Sequence, residues 1–205
     1  MKQGDYFLQC CKSFLIISIG IGSLWADENS GEKVFSYRGI VEVTFQGAST
    51  LHDFEGNGIS ESFVLTGRHD SATGDTVIFA KITVYAESLA TPNEGLNKNM
   101  YKTLESQQYP TITAIIDSVP LDNIRPGGEG DAGFSFVLRV RDVKNRLAAT
   151  VSKFKMENEA LIFTASFDFS ISEFKLDPPA PAFGLIKMKD IVKVQARFVM
   201  SSGKE

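Results

Sequence analysis

Three side chains of the types used in nucleophilic catalysis lie close together in the sequence: Ser49, His52 and Asp53. A catalytic triad needs a carboxylate that orients the imidazole and an imidazole that accepts the hydroxyl proton. His52 and Asp53 are adjacent, however, and adjacent residues of a strand point to opposite faces. We therefore expect no catalytic residues and predict that the protein is not an enzyme.

A metal or cofactor site is also poorly supported. His52 and His69 are the only histidines, and the two cysteines, Cys10 and Cys11, lie near the N-terminus. Structural zinc usually takes four Cys or His ligands, which these residues do not supply. No glycine-rich loop follows a strand and opens a helix, as phosphate-binding loops do. We expect no metal and no cofactor.

The charged residues argue against a nucleic-acid partner. The 205 residues include 21 basic and 25 acidic side chains, and the formal net charge is -4. Proteins that bind nucleic acid usually carry a basic patch or stripe, and this chain has none. The charges instead alternate with apolar residues, as they do on the solvated face of a sheet.

The N-terminus has the features of a secretory signal peptide. Lys2 and Lys12 precede the apolar stretch 14–25, and Ala26 follows it. This apolar stretch has the length of a signal-peptide core and is shorter than the roughly 20 residues that span a bilayer. We predict a signal peptide over residues 1–26 and a periplasmic or secreted protein.

Residues 27–205 are predicted to form one domain without an integral membrane span. Cleavage would remove both cysteines, so an apolar core rather than disulfides would have to stabilise the exported protein. Two alternatives remain for the N-terminus: an uncleaved membrane anchor, and a lipid anchor on Cys10. A homodimer is also compatible with the sequence.

Alternation of apolar and polar residues dominates the chain. Eight segments show this two-residue period, the second less cleanly than the others: 34–45, 53–65, 76–86, 111–119, 134–140, 146–156, 161–171 and 192–200. One-sided alternation is typical of antiparallel strands with one face in water. Eight such strands suffice for a barrel whose interior is packed or holds one small ligand. A two-sheet sandwich is the structural alternative.

One stretch, residues 88–110, has helical spacing instead. Its apolar stripe recurs every fourth position, at Leu96, Met100 and Leu104. Thr91 is predicted as the N-cap, with Glu94 completing a capping box. Pro110 cannot continue a helix. We expect a helix from about Thr91, inserted between the third and fourth strands, with its stripe packed beside or across a barrel end.

The predicted inward faces are rich in aromatic residues. The candidates for the barrel interior are Phe134, Phe136, Leu138, Phe163, Phe167, Phe169 and Phe198. Their rings could fill the barrel as a solid core, or they could contact an apolar ligand. From the strand pattern alone, the solid core is the favoured interpretation.

The segment 174–190 is unusual for a surface connection. It contains three prolines and several apolar residues, among them Phe183 and Ile186, followed by Lys187 and Lys189. We hypothesise that it closes over one barrel mouth and offers a lysine to a polar or anionic head group. A loop packed on the barrel exterior is the alternative.

Several motifs together resemble one known family. They are residues 88–93 (SLATPN), Leu96, Tyr109-Pro110, residues 49–56 (STLHDFEG), Phe183-Gly184, Asp190, Val192 and Val194. In order and spacing they are similar to the landmarks of YceI-like domain proteins, which are secreted bacterial isoprenoid-binding proteins. The similarity extends from about residue 35 to residue 200.

This resemblance implies a lipocalin-like antiparallel barrel whose elongated apolar interior accommodates a polyisoprenoid chain. It favours the ligand-binding interpretation of the aromatic residues, with the helix stripe, Phe183 and Ile186 at the mouth. The expected function is then a non-catalytic carrier of an amphipathic lipid. The alternative is an envelope stress or protein-interaction module with a solid core. The sequence 141–145 (RDVKN) lacks the glycine that the family often has at this turn.

Overall fold

The computed structural model describes residues 33–125, 132–178 and 187–202. The predicted signal peptide, residues 1–26, lies outside these residues, so it stays a prediction. The described strands and helix follow in chain order as β1 Lys33–Ala48, β2 Asp53–Ile59, β3 Phe63–His69, β4 Thr76–Tyr85, α1 Glu94–Leu104, β5 Thr111–Pro120, β6 Gly133–Val140, β7 Val143–Glu157, β8 Ala160–Ser170 and β9 Ile191–Ser202. Short 3-10 turns lie at Ala86–Ser88, Leu121–Asn123 and Ser172–Phe174.

The sheet closes on itself. Strands β3 to β9 pair in sequence order, all antiparallel, and β9 pairs back to β1 over residues 37–46. β2 and β3 pair with the same edge of β1, β3 with residues 33–39 and β2 with residues 42–48. They therefore share one of eight positions around the barrel. The predicted eight-stranded antiparallel barrel is confirmed, because this closure excludes the open sandwich.

The predicted second strand, 53–65, is divided in the structure. The buried Ser60 causes the break, because its hydroxyl accepts a hydrogen bond from the Val41 backbone N–H at 2.8 Å and donates one to the Glu61 carbonyl at 2.7 Å. A side chain thus replaces a backbone partner between β2 and β3. The sequence predicted the helix after the third strand. Because the predicted second strand forms two strands, the helix follows the fourth strand in the structure.

Helix α1 begins later and ends earlier than expected. The N-cap is Asn93, whose side-chain oxygen accepts the Leu96 N–H at 3.1 Å. Thr91 is not the N-cap: its N–H and hydroxyl both donate to the Asn97 side chain at 2.8 Å. The helix stops at Leu104 because Glu105 adopts a left-handed conformation, with φ 50°, that turns the chain away.

Replacing the observed N-cap tests this assignment. Asn93→Ala should lower the free energy of unfolding by about 1 kcal/mol, because the Leu96 N–H loses its acceptor. Asn93→Asp is the matched control, since a carboxylate can accept the same hydrogen bond next to the positive end of the helix dipole. Urea unfolding measures both variants. Equal losses in the two would contradict a capping role.

The end of the barrel opposite α1 is densely packed. Its most deeply buried side chains are Leu65, Ile78, Ile124, Phe163 and Met200, each at most 1% exposed. Pairing of Leu65 with Ala80, and of Ile78 with Val119, brings β3, β4 and β5 together at this end. Interiors of this density leave few voids larger than a water molecule. The barrel therefore has a solid half, away from the helix.

Candidate functional site

The half of the barrel next to α1 is hollow. A cavity of about 470 Å³ lies there, lined by side chains of β1, β2 and β4 to β9 together with one face of α1. Strand alternation explains the lining, because every second residue of each strand points inward. Apolar and aromatic side chains supply most of it, which is typical of sites for small apolar molecules.

Most of the interior residues predicted from the sequence reach this cavity. Those that line it are Phe134, Phe136, Leu138, Phe167, Phe169 and Phe198. Phe163 does not: it is fully buried and its ring stacks behind Phe198, with the ring centroids 4.3 Å apart. Some of the predicted inward rings therefore fill a solid core, as Phe163 does, and others surround a space that could hold an apolar ligand.

The predicted helix stripe faces the same space. Leu96, Met100 and Leu104 all line the cavity. The helix is held in place by Tyr101, whose hydroxyl donates to the Leu89 carbonyl at 2.8 Å. An ion pair of 2.9 Å between Glu105 and Arg141 joins its C-terminal end to the turn between β6 and β7. Helix α1 therefore docks its apolar stripe on the hollow end of the barrel, as expected.

The turn that lacks the family glycine is formed by Arg141 and Asp142. Arg141 adopts the left-handed conformation, with φ 57°, which glycine adopts more readily. Its guanidinium pairs with Glu105 and lies 5.7 Å from the centre of the Tyr109 ring. These contacts with the helix end help to stabilise a turn conformation that is unfavourable for arginine.

Five polar side chains border the cavity: Ser49, His52, Asn93, Asn99 and Thr103. Sequence reasoning missed all five as lining residues: Ser49 and His52 were considered only for catalysis or metal binding, and the three on or next to α1 were not considered. For Asn99 and Thr103 the available signal is helical spacing, since positions three and four apart lie on one helix face beside the apolar stripe. His52 and Asn99 are exposed, so they mark where the cavity meets the surface. All five offer uncharged hydrogen-bonding groups when the imidazole is neutral.

The structure brings Ser49 and His52 together but not as a catalytic pair. The Ser49 hydroxyl donates to the His52 carbonyl at 3.0 Å and accepts the Leu51 and His52 N–H groups at 3.2 Å. These are the bonds of a local turn. Within residues 33–125, 132–178 and 187–202, no side-chain hydrogen bond reaches the His52 ring.

The family model of the YceI-like domain matches residues 30–200 of the chain. The chain belongs to the YceI-like domain family. No match was found among curated proteins.

Solved structures with the same fold support the barrel architecture. Burkholderia cenocepacia BcnA has a TM-score of 0.59 at 15% identity, covering 78% of this chain and 95% of that one. A polyisoprenoid binding domain from Saccharophagus degradans has a TM-score of 0.56 at 12% identity, covering 81% and 98%. The Campylobacter jejuni YCEI protein has a TM-score of 0.51 at 15% identity, covering 73% and 85%. At these identities the likeness shows the fold alone.

In this YceI-like barrel, residues 187–189 run beside the turn that carries Ser49 and His52. The Thr50 N–H donates to the Lys187 carbonyl at 2.9 Å, and the Lys189 N–H donates to the Ala48 carbonyl at 2.7 Å. The side chains of Lys187 and Lys189 are exposed and do not line the cavity. Phe183 and Ile186 lie outside the described residues. The predicted lysine head-group site and lid therefore stay predictions.

Asp190 fastens this strip to the end of β8. Its carboxylate accepts hydrogen bonds from the Ser170 hydroxyl, the Ser172 N–H at 2.8 Å and the Ser172 hydroxyl at 2.9 Å. Its carbonyl accepts the Ile171 N–H at 2.8 Å. Ile171 and Met188, on the two joined segments, both line the cavity. The aspartate thereby helps to hold part of the cavity wall in place.

These bonds make Asp190 a source of pH-dependent stability. The Ser170 hydroxyl, followed by the Ser172 N–H, lowers the pKa of Asp190 below its ordinary value of 3.8. A lowered pKa in the folded state stabilises the fold fully above pH 3.8, and this contribution is lost as the pH falls towards the folded-state pKa. Asp190→Asn should therefore lower the thermal unfolding midpoint at pH 6. It should also reduce the difference between the midpoints at pH 6 and pH 3.

Asp168→Asn is the matched control, because it removes the same charge from an exposed position on β8. Thermal unfolding followed by circular dichroism from pH 2.5 to 6 would measure both variants. Some acid sensitivity should persist in Asp190→Asn, since the pKa of Asp70 is also lowered, chiefly by the Ala72 N–H. A wild-type pH profile in Asp190→Asn would refute the stabilising role.

The described part of the chain contains no cluster of three or more His, Cys, Asp or Glu side chains arranged to bind a metal ion. Its helices include none with the length and apolar character needed to cross a membrane.

Proposed function

We propose that this protein is a non-catalytic carrier that holds an amphipathic polyisoprenoid-type lipid in the barrel cavity. The observation that carries the proposal is the hollow half of the barrel, about 470 Å³ with a largely apolar lining. Burial of an apolar chain there would contribute about 0.8 kcal/mol per CH2 group. Membership of the YceI-like family and the fold shared with a polyisoprenoid binding domain support the same class of ligand.

The polar border of the cavity indicates how such a lipid would be oriented. Asn99 and Thr103 on α1, its N-cap Asn93, and Ser49 and His52 all line the cavity, and His52, Asn93 and Asn99 are exposed where it meets the surface. A chain inserted from this end would leave its polar head among these groups and its apolar tail below them. Uncharged hydrogen-bonding groups suit a neutral head, while Lys187 and Lys189 nearby remain candidates for an anionic one.

The carrier is proposed to act outside the cytoplasm. Residues 1–26 have the pattern of an export signal, and the predicted site is periplasmic or secreted. A water-filled compartment opposes diffusion of a long apolar chain, so a protein that encloses the chain would keep it soluble. A solid-core module that binds a protein partner is the alternative from the sequence, and the cavity argues against it.

Native mass spectrometry of protein purified from an isoprenoid-producing host tests the proposal. The spectrum should show an added mass that solvent extraction removes and that the extract contains as a lipid. The delipidated protein should regain the mass when it is offered polyprenyl lipids. Protein that is empty on purification and stays empty with these lipids would refute the carrier function.

A further inference from the structure

The cavity ends abruptly part-way down the barrel. On β9 the inward side chains from Val192 to Phe198 line it, whereas the next inward residue, Met200, is 1% exposed and does not. On β8 the cavity ends between Ala165, which lines it, and Phe163, which is fully buried and does not. Phe163 is the cross-strand partner of Phe198, so the boundaries on these two neighbouring strands lie within two residues of each other.

The side chains at this boundary form a floor, made by Phe198 with Val41 and Ala165 beside it. Val41 and Phe198 are cross-strand partners, and all three are buried and line the cavity. The Phe198 ring stacks on Phe163 at 4.3 Å and meets Phe63 edge-on at 6.0 Å. Close-packed aromatic neighbours leave this ring little room to move aside.

The depth above the floor can be estimated from β9. From Val192 to Phe198 the strand advances roughly 20 Å at about 3.4 Å per residue, or about 15 Å along the axis for a strand tilt near 40°. A residue places three main-chain bonds in about 3.5 Å, so the four bonds of an isoprene unit span roughly 4.5 Å. The cavity is therefore about three isoprene units deep.

The volume leads to the same length. A cavity of about 470 Å³ is about three times the size of a cavity of about 150 Å³ that holds the six carbons of benzene, so it accommodates roughly 15 to 20 carbon atoms. Three isoprene units contain 15 carbon atoms. Depth and volume are separate estimates, and both limit the enclosed chain to about three units.

We propose that the barrel measures chain length: it encloses about three isoprene units, and Phe198 sets the limit. This inference rests on the carrier function proposed above and narrows it to one class of ligand. Additional units would remain outside the cavity or would have to fold back within a space that is already filled. They should then add little affinity, because they bury little further apolar surface.

A series of isoprenoid alcohols of two, three, four and five units tests the limit. Their dissociation constants are measured by displacement of a fluorescent apolar dye from delipidated protein, below the concentration at which each alcohol aggregates. Affinity should rise more than tenfold from two to three units. Beyond the limit, each added unit should change it by less than about threefold.

Two substitutions should move the limit in opposite directions. Phe198→Ala removes the floor ring, so affinity should keep rising steeply up to about four isoprene units. Ala165→Leu raises the floor, so the steep rise in affinity should end at about two units. Leu65→Ala is the control, since Leu65 is fully buried below the floor and does not line the cavity; it should weaken the fold and leave the limit at three units.

The outcomes separate this inference from the function on which it rests. Wild-type protein that binds none of the alcohols would overturn the carrier function itself. Affinity that keeps rising steeply to five units would overturn only the length limit. A limit unchanged by both Phe198→Ala and Ala165→Leu would reject the floor as its cause. Ala165→Leu keeps the test decisive if Phe198→Ala fails to fold.

Discussion

Ala114→Trp should abolish lipid binding while the barrel stays folded. Ala114 lies in the middle of β5, between its partners Ile82 on β4 and Leu138 on β6, and all three line the cavity. An indole introduced there would occupy much of the space that we assign to the lipid tail. We expect the affinity for polyprenyl lipids to fall at least 100-fold, or about 2.8 kcal/mol.

The matched control is Thr113→Trp. Thr113 is the preceding residue on β5 and points to the outer face, so the same side chain is added without filling the cavity. Native mass spectrometry reports the bound lipid in both variants, and circular dichroism reports the fold. Wild-type amounts of lipid in a folded Ala114→Trp protein would show that the ligand lies elsewhere.

The two halves of the barrel should respond very differently to loss of a leucine side chain. Leu65, fully buried in the packed half, is surrounded by side chains that cannot all move in to fill the gap. Leu65→Ala should therefore lower the free energy of unfolding by about 3–5 kcal/mol. Leu138 already faces the cavity on one side, so Leu138→Ala loses fewer contacts and should cost only about 1–2 kcal/mol.

Urea unfolding of delipidated protein measures this difference. The comparison is matched, because both residues are inward-facing leucines of the same barrel and are almost completely buried. Lipid should narrow this difference: it should stabilise the wild type and Leu65→Ala to the same extent but Leu138→Ala less, since Leu138 would contact the tail. Equal losses in the delipidated variants would mean that the barrel is packed uniformly.

Much of the fold could be predicted from the sequence, because its determinants are local. Alternation identifies the strands, since burial of one face requires a two-residue period. Leu96, Met100 and Leu104 identify the helix, since burial of one helix face requires apolar residues about every four positions. Ordered landmarks from residue 49 to residue 194 identified the family.

The errors arose where a distant partner decides between local alternatives. The strand break at Ser60 depends on a hydrogen bond to Val41, 19 residues away along the chain. Thr91 and Asn93 are both acceptable N-cap residues, and Asn97 decides between them by engaging the Thr91 side chain. Propensity ranks such residues but cannot select one without their partners.

By itself, the sequence determined an all-β barrel, its family, and which side chains point inward. Only the tertiary structure decided which inward rings surround space and which fill it. Phe163 and Phe167 lie on the same face of β8, yet Phe163 is fully buried against Phe198 and Phe167 lines the cavity. Whether a ring meets a void depends on the summed volumes of side chains from several strands. No single segment of sequence contains that sum.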